Sequence, residues 1–424
     1  MEFLKKIIQT NLFKIISLNS ISVLIKIAIG LVTSKLLALF VGPAGLALVG
    51  NFKNFFSGIE TVSTLGFKVG VTKYVVEAKN DNNKLQKLIS TLLISILFVV
   101  FLLSLFLFFG ASYLNDFVFG SNFNYSILFQ IFAFTLPWFA FSVIFTAIIT
   151  GLNKPKKSIY LNIVSSCIGF AVSLMLITQF KTFGSLLAIL VTSALLFFAS
   201  LYFLNQDIHF FSKIKFIFFD FLILKKLFSF SIMALVSSII TPIVLLIIRK
   251  NCIELVGLQQ AGYWVTIDLI SNYYMLFVTS FFLIYHLPKL AECDTDLALK
   301  NLFNEYYKTV LPVFMSMVLI IYFTRHQIIS LLFAKSFESV ESLFFYQILG
   351  DVLKVSSLIL SYTLWLKKRL VSFVLFELIY LFFFYLLSQY FIIDFGVEGI
   401  LIGYCFSTGL YLLGLIIFFK KIIF

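Results

Sequence analysis

The sequence predicts an all-α polytopic membrane protein: twelve transmembrane helices in two six-helix lobes around a central cavity. Three observations carry that expectation. Of 424 residues, 61% are hydrophobic and 12% charged, with a mean hydropathy of +1.07, whereas soluble domains are nearer half apolar and a quarter charged. Apolar runs of about 20 residues, long enough to cross roughly 30 Å of hydrocarbon, recur from end to end. The basic residues, finally, alternate in density from loop to loop in the manner of a topology signal. A β-barrel is excluded, because its strands are short and alternate apolar with polar.

Apolar runs read against turn and charge punctuation place the spans in order. The first, 12–38, is too long for a cleaved signal peptide, carries Lys14 and Lys26, and is followed by no small-residue cleavage site. Span 44–70 is next, and the lysines of 73–87 divide it from 87–110. Then come 126–150, the KPKK stretch at 154–157, and a pair, 158–179 and 183–204, interrupted at Lys181. Residues 205–227 form the longest linker, read as a basic amphipathic segment on the cytoplasmic face. The second half holds 228–249, 261–287, 305–324, 342–365, 370–392 and 397–419. The expected domains are therefore a lobe at 1–204, the linker 205–227, and a lobe at 228–424. The halves echo each other: AGLALVGN against AGYWVTID, and FGSLLAIL against GVEGILIG. Six spans per half give both halves one orientation, a parallel-repeat transporter design.

In this arrangement 21 of the 32 basic residues fall in one set of segments (5–6, 73–87, 154–157, 213–226, 289–308, 367–369 and 420–421). The alternate loops hold five: Lys181, Arg249, Lys250, Arg325 and Lys335. The positive-inside rule then puts both termini in the cytoplasm. The net charge of +13 is thus topology and not a nucleic-acid footprint. Four cysteines and three histidines are scattered without metal-ligand or disulfide spacing. No phosphate loop, dinucleotide fingerprint or nucleophile elbow is present, so neither a cofactor nor an enzyme is expected. The 56 Phe read as packing and lipid-facing residues.

The informative residues are charges inside the spans. At 100° per residue, Lys53, Ser57, Glu60, Thr64 and Lys68 fall on one face of span 2. Span 1 aligns Asn19, Ser22, Lys26, Gly30 and Thr33, with Lys35 pointing elsewhere. Span 7 aligns Ser231, Ser238 and Arg249 around Pro242. Span 8 aligns Asp268, Asn272, Thr279 and His286, and span 10 aligns Gln347, Asp351, Lys354, Ser361 and Trp365. Each such charge at the bilayer centre costs on the order of 3 kcal/mol, which a water-filled cavity relieves. Asp351 and Lys354 also read as a structural ion pair, and Glu377 as a packing or proton-coupling acid. A cavity floored by Lys26, Lys53 and Arg249 suits an anion, phosphate above all.

Several segments resemble one family. KLLALFVGPAGLALVGNFKNF (35–55), GVTKYV (70–75), ITPIVLLIIRK (240–250), LPKL (287–290) and FYQILGDVLKV (345–355) resemble the Wzx-type flippases. These are the O-antigen and enterobacterial-common-antigen translocases of the MOP superfamily. The resemblance spans the whole chain and implies a carrier of undecaprenyl-pyrophosphate-linked oligosaccharide, moving from the cytoplasmic to the periplasmic leaflet of the inner membrane. It implies diphosphate binding by Lys26, Lys53, Arg249 and Lys35. The polar face pattern itself, apart from the resemblance, gives polar and sugar-facing roles to Glu60, Trp264, Asp268, Asn272 and Tyr273, and ion coupling, by proton or sodium, or structural pairing to Asp351, Lys354 and Glu377. Asp268 and Lys68 depart from the family, which is uncharged there. Expected partners are the lipid-linked glycan, the bilayer, a glycan polymerase and a chain-length regulator. Two rivals stand beside this reading. A cation-coupled multidrug exporter of the same superfamily would want acids dominant in its cavity. A membrane polysaccharide polymerase would want a long external loop bearing arginines, and the longest here is about 15–18 residues.

Overall fold

A computed structural model describes residues 11–208, 218–293, 295–367 and 369–423, and every regular element among them is helical. The described residues form two compact units. One comprises Met1–Leu36 with Asn51–Ile243, the other Leu37–Gly50 with Val244–Phe424. The middle of the predicted linker, 209–217, lies outside the described residues.

In the first unit, α1 (Asn11–Phe40) begins the membrane-spanning series. Helix α2 (Gly42–Ser63) runs from the second unit into the first. It is fixed in the first by Phe52 and Phe56, one turn apart and buried. Their rings stack on Phe119 at 5.9 Å and Phe132 at 5.0 Å. That spacing turns Lys53, Ser57 and Glu60 to the other side. The predicted face does not extend to Lys68. The helix stops at Ser63 in a Schellman turn: Gly66 N–H donates to the Thr61 carbonyl and Leu65 N–H to that of Val62, both at 3.0 Å. Leu65 and Gly66 both adopt positive φ. Lys68 therefore opens the next helix, α3 (Lys68–Ala78).

Helices α4 (Asn82–Phe109), α5 (Ala111–Phe119) and α6 (Ser126–Gly151) follow. Asp81 caps α4, its carboxylate accepting from the Asn83 and Lys84 amides. Helix α7 (Pro155–Ile208) is two spans broken at Lys181, where φ is 50° and ψ −122°. Three residues later a Cβ on Gly184 would sit 1.9 Å from the Leu176 carbonyl oxygen. Only a glycine lets the two arms of this hairpin meet so closely.

Helix α8 (Phe221–Leu255) runs from the first unit into the second, which continues through α9 (Leu258–Phe281), a π-helical turn (Phe282–His286) and α10 (Leu287–Glu292). Then come α11 (Asp296–Phe323), α12 (Arg325–Leu332), a 3₁₀ turn (Lys335–Leu343), α13 (Phe344–Leu366), α14 (Leu370–Phe395) and α15 (Val397–Phe418). The α14–α15 hairpin repeats the construction at Lys181. Gly396 has φ 58° and ψ −136°, and a Cβ on Gly399 would sit 2.2 Å from the Phe391 carbonyl oxygen. In both hairpins the bend precedes the contact glycine by three residues, and the carbonyl it meets lies eight residues back. The weak echo between FGSLLAIL and GVEGILIG thus has a backbone cause.

Nine helices among the described residues are long and apolar enough to cross a membrane, the broken α7 representing two predicted spans. The protein is a multi-pass membrane protein. Predicted spans 2 and 7 form α2 and α8, which are not among the nine. In α2 the polar face of Lys53, Ser57 and Glu60 explains the difference.

Candidate functional site: a charged cluster in the second unit

Five of the predicted charges lie in the second unit, and the fold builds each place for them. Arg249, near the end of α8, is 3% exposed. Its guanidinium lies over the Trp264 ring of α9, 4.8 Å from the centroid. Gly50 makes room for it, since a Cβ there would stand 3.1 Å from Arg249 Cζ and 2.7 Å from Val265. Gly262 does the same for the neighbouring backbone, its Cβ position falling 1.9 Å from the Pro43 carbonyl oxygen. The glycines of the GPAGLALVGN and AGYWVTID segments are there so that α2 and α9 approach and seat the arginine. A planar guanidinium stacked on an indole is a placement that lysine cannot reproduce.

The sequence FYQILGDVLKV, within α13, holds the second part. Asp351 is 1% exposed, yet its carboxylate accepts from four neutral side chains. Ser271 donates at 2.6 Å, Tyr404 at 2.8 Å and Gln347 at 3.1 Å, with Tyr274 as the fourth. Gln347 precedes it by one turn on the same helix. Ser271 and Tyr274 come from α9, and Tyr404 from α15. A Cβ at Gly350 would overlap the Tyr404 ring at 2.4 Å, so that glycine admits the tyrosine. Lys354 does not pair with Asp351. Among the described residues its ammonium has no carboxylate within ion-pair distance and instead faces the Tyr404 ring, 5.9 Å from the centroid. Tyr404 thus links the two, giving its hydroxyl to the acid and its ring to the cation. A buried carboxylate held by neutral donors is satisfied without a counter-ion.

Lys354 and half-buried Glu377 line one cavity of about 430 Å3 with Ser361, Trp365, Tyr380 and Tyr411. The Tyr411 hydroxyl donates to Ser361 at 3.0 Å. Asp268, on the exposed side of α9, accepts from the Asn272 amide at 3.3 Å. The second unit thus holds two of the predicted cations, Arg249 and Lys354, and three acids, Asp268, Asp351 and Glu377. Tyr273 is half-buried on the same helix.

The other four predicted residues belong to the first unit: Lys26 and Lys53 exposed, Lys35 and Glu60 half-buried. The tyrosines around Asp351 and the cavity were not legible in the sequence. Tyr404 stands 53 residues from its partner, and nothing in the local pattern of α15 sets it apart from other aromatics.

Fold and site together define a class: a multi-pass helical membrane protein with charged groups enclosed in its interior and the fold of the MOP-superfamily transporters. The solved structures agree on the fold. An inward-facing multidrug resistance MATE family transporter of that superfamily superposes with a TM-score of 0.76 at 16% identity, over 93% of this chain and 95% of that one. The lipid II flippase MurJ, in an inward closed conformation, gives 0.72 at 16% identity over 96% and 90%. Residues 12–283 match the polysaccharide biosynthesis protein family, and the chain belongs to that family. It is similar to the lipid III flippases of Escherichia coli (strain K12) and Shigella flexneri. Each is 28% identical over 357 residues, 84% of this chain and 85% of the relative.

Proposed function

We propose that the protein is a flippase for undecaprenyl-pyrophosphate-linked oligosaccharide. It carries an O-antigen or common-antigen type repeat unit from the cytoplasmic to the periplasmic leaflet of the bacterial inner membrane by alternating access. The observation that carries this reading is Arg249, a cation enclosed in the membrane-spanning body and seated by Gly50 and Trp264. Similarity to the lipid III flippases over 84% of the chain supports it. A diphosphate cannot cross hydrocarbon uncompensated, because a naked charge there costs many kcal/mol. Fixed cations exchange that cost for charge-assisted hydrogen bonds.

Arg249 with Lys26, Lys35 and Lys53 binds the diphosphate, and Glu60, Trp264, Asp268, Asn272 and Tyr273 meet sugar. Asp351 orders α9, α13 and α15. Glu377, in the cavity with Lys354, and Asp268 are the groups for proton or sodium coupling. Transport is a population shift between two orientations of the binding groups, with no covalent chemistry and no other cofactor. Both termini lie in the cytoplasm, and a polymerase and chain-length regulator act on the delivered unit. The multidrug-exporter reading draws on the MATE-like fold, but the cations of the spans do not suit cationic drugs.

Complementation decides between them. In a strain lacking its own oligosaccharide flippases, the wild type restores surface glycan, while Arg249→Ala and Lys53→Ala do not at equal membrane abundance. Restoration by both variants removes the phosphate clamp. Failure of the wild type, with gained resistance to cationic drugs, transfers the protein to the exporters.

A further inference from the structure

On the second unit a groove of about 380 Å3 lies between α11 and the end of α9 with its π turn. It falls outside the charged cluster, and its wall is almost wholly apolar, from Phe281, Val313, Phe314 and Met317. Phe281 and Val313 are exposed, so the groove opens on the side a membrane protein turns to lipid. One end is different. There Tyr285 and Glu305 enter the lining, and Lys289 donates to the Glu305 carboxylate at 2.8 Å and to the Tyr285 hydroxyl at 2.7 Å. The Tyr285 hydroxyl donates to Glu305 at 2.9 Å. Both charges remain accessible, at 40% and 37%. The groove thus presents a hydrocarbon slot capped by one cation and one anion side by side, at the end next to the lysine-bearing 289–308 segment.

We propose that this groove is a binding site for a phosphoethanolamine-headed glycerophospholipid of the surrounding bilayer. One acyl chain lies against Phe281, Val313 and Met317, the phosphate meets Lys289, and the primary ammonium meets Glu305. Charge complementarity selects the head group. An adjacent plus–minus pair matches a zwitterion whose two charges are separated by two carbons. A phosphoglycerol head offers nothing to Glu305, and a quaternary choline cannot donate a hydrogen bond to it. The volume is that of a drug-sized apolar pocket, enough for a chain and not for a folded glycan. The site is independent of the transported substrate.

Native mass spectrometry of the full chain, released from detergent with lipids of matched acyl chains, tests it. The wild type is expected to retain the phosphoethanolamine lipid about threefold better than the phosphoglycerol or phosphocholine lipid, the range of an accessible ion pair. Glu305→Gln abolishes that preference while leaving overall lipid retention and elution volume unchanged. Val313→Trp fills the slot and lowers retention of all three lipids. Equal retention by the wild type, or a preference that survives Glu305→Gln, overturns the proposal. So does displacement of the phosphoethanolamine lipid by undecaprenyl phosphate in the wild type but not in Val313→Trp, which assigns the groove to the substrate's tail.

Discussion

Asp351 shows how a charge in a membrane helix can be structural without a counter-charge. Four donors from three helices converge on it, so its removal orphans all of them at once. A hydrogen bond to an ionised group contributes about 1.5–3 kcal/mol, and an unsatisfied buried donor costs a comparable amount. Tyr404→Phe, which removes one donor and keeps the ring under Lys354, is expected to destabilise the detergent-solubilised protein by about 2 kcal/mol. Asp351→Ala is expected to cost more than Tyr404→Phe, because every donor loses its acceptor. A thermal midpoint for Asp351→Ala equal to that of wild type would sink this account. Asp81 answers to pH instead. Hydrogen bonds from the Lys84 and Asn83 amides, with the Lys84 side chain at 3.4 Å, hold its carboxyl below the usual carboxylate range. A group depressed on folding contributes stability that is complete above its unfolded value and fades as pH falls through its folded value. The protection factors of the amides in the first turn of α4, which correct each exchange rate for the intrinsic rate at that pH, should therefore fall on acidification towards the bottom of the carboxylate range. In Asp81→Ala they should be low at every pH. The sequence made Asp351 and Lys354 visible because charge is rare in such helices. It hid Tyr274 and Tyr404, because donors arriving from α9 and α15 leave no mark within FYQILGDVLKV.

Helices themselves were legible to within a few residues wherever an apolar run met a charge or a turn: 126–150 against Ser126–Gly151, and 397–419 against Val397–Phe418. Ends were missed where a helix runs on through polar residues: 305–324 begins nine residues inside Asp296–Phe323, and 228–249 falls short of Phe221–Leu255 at both ends. In span 2 the reverse happened, since hydropathy continued through Lys68 and backbone geometry did not. Leu65 and Gly66 take left-handed conformations in the Schellman turn, and only the glycine advertises such a stop. The paired hairpins give the sharper lesson. Lys181 and Gly396 occupy equivalent bends with φ near +50 to +60° and ψ near −120 to −140°, a conformation that favours glycine. The first hairpin holds it with a lysine, at a cost on the order of 1–3 kcal/mol for such backbone strain. Lys181→Gly is accordingly expected to raise the thermal midpoint, and Gly396→Lys to lower it. Gly184→Ala and Gly399→Ala, which drive a methyl into a carbonyl, should each be more damaging than either exchange. If Lys181→Gly lowers the midpoint, the lysine side chain is contributing more than its backbone costs, and the hairpins are not equivalent.

Across the whole molecule the basic residues sort by loop, and that sorting makes a claim about orientation independent of any binding site. The junction of α6 and α7 carries Lys154 and, in the first turn of α7, Lys156 and Lys157, while 120–125, between α5 and α6, carries no basic residue. One spanning helix, α6, separates the two, so they must face opposite sides of the membrane. Translocating a lysine cluster against the membrane potential is unfavourable, at roughly 2.3 kcal/mol per charge per 100 mV, which is why such clusters stay where they were made. Single cysteines at Asn122 and Lys156, in a background with the four native cysteines replaced, make the inference measurable in intact cells. A membrane-impermeant maleimide is expected to label Asn122→Cys directly and Lys156→Cys only after permeabilisation. The reverse pattern would invert the protein, and with it the cytoplasmic placing of both termini. Labelling of both sites in intact cells would mean that α6 does not cross, and the twelve-span reading would lose its fourth span. The expected pattern instead makes the +13 charge a record of insertion and leaves the cations within the spans, buried Arg249 and cavity-lining Lys354 among them, as the ones that transport has to explain.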